Sequence, residues 1–173
     1  DNNSSMTGVN WRTEQTTYAY DYDNRLKSLT QTGGPSATYK YDYLGRRIEK
    51  NVDGVITKYV YDGENIIAEY DGTNNLIAKY VYGSDIDEPI RLEKAGEVCY
   101  YHFDGLGSVV DLSNSSGTHI EHYTYSPFGK TKICDPATGL KRDNSIVGNL
   151  YRFTARQWDN ESNLYFYRAR MYD

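Results

Sequence analysis

The chain has 173 residues, of which 38% are hydrophobic and 14% aromatic, and it carries a net charge of -5. That length suits one domain, or part of one, with room for a core. With no long basic run the charge excludes a nucleic-acid footprint, and no apolar stretch nears the roughly 20 residues that span a bilayer. The mean hydropathy of -0.77 would point to disorder, but disordered chains are poor in aromatics and this one has 19 tyrosines. Tyrosine brings a large apolar body and a hydroxyl that stays wet or finds a partner.

In chain order, residues 1–16 read as an incomplete repeat or an N-terminal extension, and Asp1 to Ser5 do not read as a signal peptide because they lack Lys and Arg. From residue 17 the chain repeats. Tyr20, Tyr41, Tyr61, Tyr82, Phe103 and Tyr125 are spaced by 21, 20, 21, 21 and 22 residues. Two residues before each stands another aromatic: Tyr18, Tyr39, Tyr59, Tyr80, Tyr101 and Tyr123. Aromatics at i and i+2 share one face of a strand. Asp21, Asp42, Asp62 and Asp104 follow the second column. An Asp there opens a turn, since its carboxylate accepts from backbone N–H groups further on. Three residues after the Asp position come Asn24, Gly45, Asn65, Gly107 and Gly129, types that tolerate positive φ, with Ile86 as the exception. A second strand follows each turn, as at 26–30, 46–52 and 66–70. A second turn then closes the unit: Gly33-Gly34, Asp53-Gly54, Thr73-Asn74-Asn75, Ala95-Gly96 or Ser116-Gly117. Asp53-Gly54 predicts a type I′ hairpin. The expected fold is all-β: stacked antiparallel hairpins in a curved or spiral sheet, held by cross-strand aromatic pairs worth about 0.2–1 kcal/mol each.

The remaining chemistry reads as structural. Cys99 and His102 are three apart, so a regular strand points them to opposite faces. His119 and His122 share that spacing, and no Cys-x-x-Cys or His-Glu-x-x-His pattern is present, so no metal site is expected. Cys99 and Cys134 are too few for a disulfide framework and read as free thiols, with a single bridge as the alternative. Gly105-Leu106-Gly107 precedes a strand rather than a helix and is no phosphate loop. Residues 133–149 read as a polar insertion forming a surface loop. Arg152, Arg156, Arg168 and Arg170 concentrate cationic charge, to be paired with Asp159, Glu161 and Asp173 or stacked on Tyr and Trp faces.

The run Tyr39-Lys40-Tyr41-Asp42-Tyr43-Leu44-Gly45 resembles the tyrosine-aspartate (YD, or Rhs) repeat of bacterial Rhs proteins, Tc toxin C components, wall-associated proteins and animal teneurins. The YD repeats cover 17–98. Residues 99–173, with the loop at about 133–149, resemble the Rhs repeat-associated core segment. Four stretches carry that likeness: Phe103 to Ser108; Tyr125-Ser126-Pro127-Phe128-Gly129; Tyr151-Arg152-Phe153-Thr154-Ala155-Arg156-Gln157-Trp158-Asp159; and Leu164 to Asp173, which contains Tyr165, Arg168, Arg170 and Tyr172. Gly105, Ser126 and Met171 depart from the usual His, Asp and aromatic. The resemblance implies a spiral sheet closing a hollow shell, a core segment curling inward as a plug, and a C-terminal toxin enclosed. Arg170 best matches an Arg of the family's self-cleavage site. The Asp-Pro motif expected after the core is absent up to Asp173, so no enzyme activity and no cofactor are expected. The implied partners are other repeats of the parent chain, neighbouring copies met through sheet edges, and an encapsulated toxin domain, at a secreted or cell-surface location. The alternative is adhesion, carbohydrate binding or filament-like self-assembly, with glycans as partners.

Overall fold

A computed structural model describes residues 8–11 and 14–173. The expectation for 1–16 lies partly outside the described residues.

The chain is all-β. A fourteen-stranded antiparallel sheet runs in chain order: β1 (Gly8–Trp11), β2 (Glu14–Tyr20), β3 (Leu26–Gln31), β4 (Ser36–Tyr41), β5 (Arg47–Val52), β6 (Val55–Asp62), β7 (Asn65–Asp71), β8 (Leu76–Tyr82), β9 (Pro89–Lys94), β10 (Glu97–Phe103), β11 (Val109–Asn114), β12 (His119–Tyr125), β13 (Thr131–Cys134) and β14 (Lys141–Arg142). A second sheet holds β15 (Gln157–Asp159), β16 (Leu164–Phe166) and β17 (Met171–Tyr172). The expectation of stacked hairpins is met.

Asp residues close the turns. The Asp21 carboxylate accepts the N–H groups of Asp23 (3.0 Å) and Arg25 (2.9 Å), and that of Asp42 accepts those of Leu44 (3.0 Å) and Arg46 (2.9 Å). Asp104 repeats the device with Leu106 and Ser108, both at 2.9 Å. Positive φ falls on Asn24 (61°), Gly45 (82°), Gly107 (80°) and Gly129 (89°). The unit at Asp62 differs. Asp62 ends β6, and a two-residue turn with positive φ at Gly63 (55°) replaces the turn expected to end on Asn65. Glycine is at once available there, so the chain turns early. In the next unit the left-handed residue is Asp87 (64°), one place after Ile86. At the far hairpin ends, Asp53 (49°) and Gly54 (90°) both have positive φ, as a type I′ turn requires.

A bulge after the tip is the main feature that strict alternation misses. Tyr20 pairs with Leu26 and Ala19 with Ser28; Tyr41 pairs with Arg47 and Lys40 with Glu49; Tyr82 with Pro89 and Val81 with Arg91; Phe103 with Val109 and His102 with Asp111. One residue on each second strand is therefore extra, and it shifts the parity along the rest of that strand. Inward positions on these strands become i and i+3. Leu26 and Leu29, Arg47 and Lys50, and Val109 and Leu112 are all buried.

The chain divides into two compact units. The first contains the residues up to Val60, Tyr70–Asn75 and Asp159–Asp173; the second contains Tyr61–Glu69 and Leu76–Trp158. In the first, Tyr18, Leu26, Leu29, Ala37, Tyr39 and Leu164 form the core. In the second, Tyr80, Leu92, Tyr101, Val109, Leu112, Tyr123 and Tyr151 are buried. Within each unit the first tyrosine column is buried and the second half-buried.

Residues 135–148 lie largely at the surface, and the ends of the 133–149 segment are anchored. Ile133 pairs with Arg142 and Cys134 with Lys141 across a short hairpin. Ile133 is 3% exposed and Asn149 is 1% exposed. Both ends of the segment have inward partners, which a polar composition does not reveal. Cys99 and Cys134 are free and buried.

Candidate functional site

Each unit brings part of the core segment onto a tyrosine face. In the first unit the contact is ionic. The bulge turns both Arg47 and Lys50 of β5 inward, where a period of two would have separated them. The Arg47 guanidinium meets the Asp159 carboxylate through two bonds of 2.5 and 3.0 Å. Lys50 Nζ lies 3.1 Å from Asp159 Oδ1 and 3.3 Å from Glu161 Oε2. The Tyr39 hydroxyl donates to the other Glu161 oxygen at 3.0 Å. Rings enclose the cation, with Arg47 4.0 Å from the Phe166 centroid, 5.4 Å from Tyr39 and 5.5 Å from Tyr59.

Two cations and two carboxylates in one buried cluster balance in formal charge. Burial alone would push the Asp159 carboxyl up, but Arg47 and Lys50 together hold it below the usual carboxylate range. Burial alone would lower Lys50, but Asp159, Tyr59 and Glu161 together outweigh it, so its ammonium is held above the usual lysine range. Burial pushes the Tyr39 phenol well up, and the charges of Asp159 and Glu161 add to this. The cluster is a fixed set of charges, since taking one partner away would leave another buried and uncompensated.

In the second unit the contact is aromatic and amide-based. Tyr151 presents its ring edge-on to Tyr80, Tyr82 and Tyr101, at centroid distances of 5.2, 6.4 and 6.3 Å. The Tyr82 hydroxyl donates to the Tyr151 hydroxyl at 2.8 Å. Tyr101 donates to Asn149 Oδ1 at 2.9 Å, and Asn149 Nδ2 donates to the Tyr123 hydroxyl at 3.1 Å. The Asn149 amide also spans Tyr151, donating to its carbonyl at 2.7 Å and accepting its N–H at 3.0 Å. Tyr123 donates to the buried Glu121 carboxylate, which also accepts the Ile146 N–H. Tyr80 donates to Glu69 at 2.9 Å. These hydroxyls therefore have partners of the kind buried polar groups require.

The predicted core residues divide between the units. In the second, Phe153 packs on Tyr125 at 5.6 Å, and Gly129 leaves it room, since a Cβ there would meet the Phe153 ring at 2.6 Å. Arg152 lies over the Trp158 ring at 5.2 Å, and Arg156 pairs with Asp87 at 2.7 Å. In the first, Tyr165 is 1% exposed and contacts Tyr167 and Tyr172, each at 6.4 Å. Arg168 has a positive φ of 57°, and Arg170 is exposed. Asp159 is held by cations of β5, not by the core segment's own arginines as anticipated. Sequence reasoning missed Arg47, Lys50, Glu69, Glu121 and Asn149. For Glu121 the signal was its place two residues before Tyr123, on the same strand face; Arg47 and Lys50 are turned inward by the β5 bulge, which the sequence does not announce.

Among the described residues no three His, Cys, Asp or Glu side chains are already placed around a metal-sized point, and no helix is long and apolar enough to cross a membrane. The histidines need a correction. Leu112 pairs with Glu121 and Ser113 with His119, so Ile120 is a bulge residue and His119 and His122 face the same side. Both approach Asp111 Oδ1, at 3.4 and 3.1 Å.

The hairpin stack, its repeated Asp tips and its tyrosine columns define a class, repeat sheets of the YD type, and comparison agrees. The fold is shared with TccC3-containing structures. The TcdB2-TccC3-TEV crystal structure matches with a TM-score of 0.65 at 17% identity, over 91% of this chain and 8% of that one. A Photorhabdus luminescens Tc holotoxin pore matches with a TM-score of 0.64 at 16% identity, over the same shares of each chain. The Teneurin YD-shell family model matches residues 5–141, and the chain belongs to that family. Its relatives include the tRNA3(Ser)-specific nuclease WapA of Bacillus spizizenii, 35% identical over 161 residues, and the tRNA nuclease WapA of Bacillus subtilis strain 168, 34% identical over 161 residues. Each match covers 91% of this chain and 7% of the relative's length.

Proposed function

We propose that this segment ends a YD-repeat shell by docking its core segment onto the tyrosine face, and that the parent protein uses the shell to enclose and help deliver a C-terminal toxin or effector. The buried Arg47–Asp159 pair is the observation that carries this. A desolvated two-bond contact between residues so far apart in sequence fixes register, and register is what a closing segment needs. The pairing of Asn149 and Tyr151 with tyrosine hydroxyls of β8, β10 and β12 supports the same role in the second unit. On this reading the segment is structural, acts at a secreted or cell-surface protein, and leaves nuclease chemistry of the WapA kind to other parts of a parent chain.

Protease protection in a parent protein tests the proposal. Asp159→Asn should expose the polypeptide downstream of the core to cleavage that the unsubstituted shell prevents. Equal protection in both would overturn it. Adhesion through the β14 edge is less favoured, because β14 is a two-residue edge of Lys141 and Arg142, and short cationic edges oppose strand pairing.

A further inference from the structure

We propose that Lys50 of β5 and Glu161 of the core segment condense into an isopeptide bond in the folded chain, with Asp159 as the proton carrier, so that the docked segment is locked covalently to the sheet. The bond rests on the docking proposed above. The reacting groups are held in contact. Lys50 Nζ lies 3.3 Å from Glu161 Oε2, on the carboxyl group it attacks, and 3.1 Å from Asp159 Oδ1. Groups held about 3–3.5 Å apart gain the proximity advantage of an intramolecular reaction. The Tyr39 hydroxyl donates to the other Glu161 oxygen at 3.0 Å. Negative charge develops on that oxygen as the nitrogen adds, and a fixed donor aimed there stabilises the transition state.

The neighbours assign the roles. Arg47 grips Asp159 through two bonds and keeps it a carboxylate, which makes it the poorer electrophile and the standing proton acceptor. Glu161 has Lys50 and Tyr39 in place of a guanidinium. Lys50, Asp159 and Glu161 are all buried, and the rings of Tyr39, Tyr59 and Phe166 stand round Arg47 beside them. Exclusion of water protects the product from hydrolysis. The step balances without a further reactant. A bond forms from Lys50 Nζ to Glu161 Cδ, and the bond from Cδ to Oε2 breaks. Two of the three ammonium protons leave with Oε2 as water, by way of the Asp159 carboxylate, and the third stays on the amide nitrogen. Lys50 and Glu161 lose their charges together, so Arg47 and Asp159 remain a balanced pair. Because Lys50 is held as an ammonium at rest, the free amine is scarce, and the bond accumulates slowly and faster at mildly alkaline pH.

Intact-mass spectrometry of the 173-residue chain, folded by circular dichroism and held for days at mildly alkaline pH, is the test. We expect a mass lower by one water, and a peptide map in which the peptide containing Lys50 is joined to the one containing Glu161. Lys50→Arg keeps the charge and removes the amine, and Glu161→Ala removes the carboxyl; both should retain the full mass. Asp159→Asn should slow formation of the bond by about 10²–10⁴-fold, the range that a positioned proton acceptor contributes. The result on the unsubstituted chain stands whether or not a variant folds. Mass also reads the bond apart from the docking: full mass in a chain whose parent shell still protects the downstream polypeptide overturns the bond and leaves the docking standing. Full mass in the folded chain, or a lost water that maps to an Asp-Gly step such as Asp53-Gly54, overturns the proposal.

Discussion

A residue such as Asp159 shows how much one side chain can decide. It is fully buried, and both of its carboxylate oxygens are bonded to cations. Replacing it with Asn keeps the shape and removes the charge, which leaves Arg47 and Lys50 buried with Glu161 as their remaining acid. Breaking a buried pair costs about 3–5 kcal/mol. We expect Asp159→Asn to lower the urea-unfolding free energy by that order, while Arg47→Met combined with Asp159→Leu recovers most of it. An unchanged urea midpoint in Asp159→Asn would show that the pair contributes nothing. Gly129 decides by absence. Its φ is +89°, and a Cβ would stand 2.6 Å from the Phe153 ring. Gly117 has a similar φ of +79° with open space around it. Gly117→Ala should cost about 1–2 kcal/mol from left-handed strain alone. Gly129→Ala should cost clearly more, because the ring must also move. Equal losses for the two in denaturant titrations would rule out the steric part.

Within an element, the bulge resets which residues are core. Strict alternation from Leu26 would place Ser28 inside and Leu29 outside. Because Lys27 is the extra residue, Leu29 is 1% exposed and Ser28 faces away. Leu29→Ala should therefore cost about 2–5 kcal/mol as a buried large-to-small change, and Ser28→Ala only about 0.5 kcal/mol or less. Chemical denaturation of both variants gives the comparison, and a larger loss for Ser28→Ala would mean the strand is regular. The same shift explains why Arg47 and Lys50 act together, and why His119 and His122 meet one carboxylate. Bulge positions left no distinctive mark in the sequence, because the extra residues Lys27, Ile48, Ile90 and Val110 are types that also fill regular strand positions.

For the whole molecule, acid separates the two units. Asp21, Asp42, Asp71 and Asp159 all have carboxyls held below the usual range, and all lie in the first unit. Asp71 is held at about 2 by side-chain and backbone donors of Asn75 and Thr73. In the second unit Asp135 is lowered in the same way. A depressed folded-state pKa gives stability that is fully present above the unfolded value, about 3.9 for Asp, and is lost as pH falls through the folded value. The loss should therefore begin below about pH 4 and continue downward. Hydrogen exchange at successive pH values should show the amides of β2 to β5 losing protection before those of β10 to β12. Simultaneous loss, or the reverse order, would contradict this.

The sequence by itself determined the repeat, the strand-and-turn order, the Asp-capped tips, the type I′ turn at Asp53-Gly54 and the common face of each tyrosine pair. All of these are local: they arise from i, i+2 geometry, from side chains that bond their own backbone, and from residues that accept positive φ. Tertiary structure alone decided what meets those tyrosines. Asn149, Tyr151, Asp159 and Glu161 are far in sequence from the groups they bond, and a one-residue bulge chose which charges faced inward. Such pairings depend on how distant strands stack, and strand register is set by that stacking rather than by any one segment.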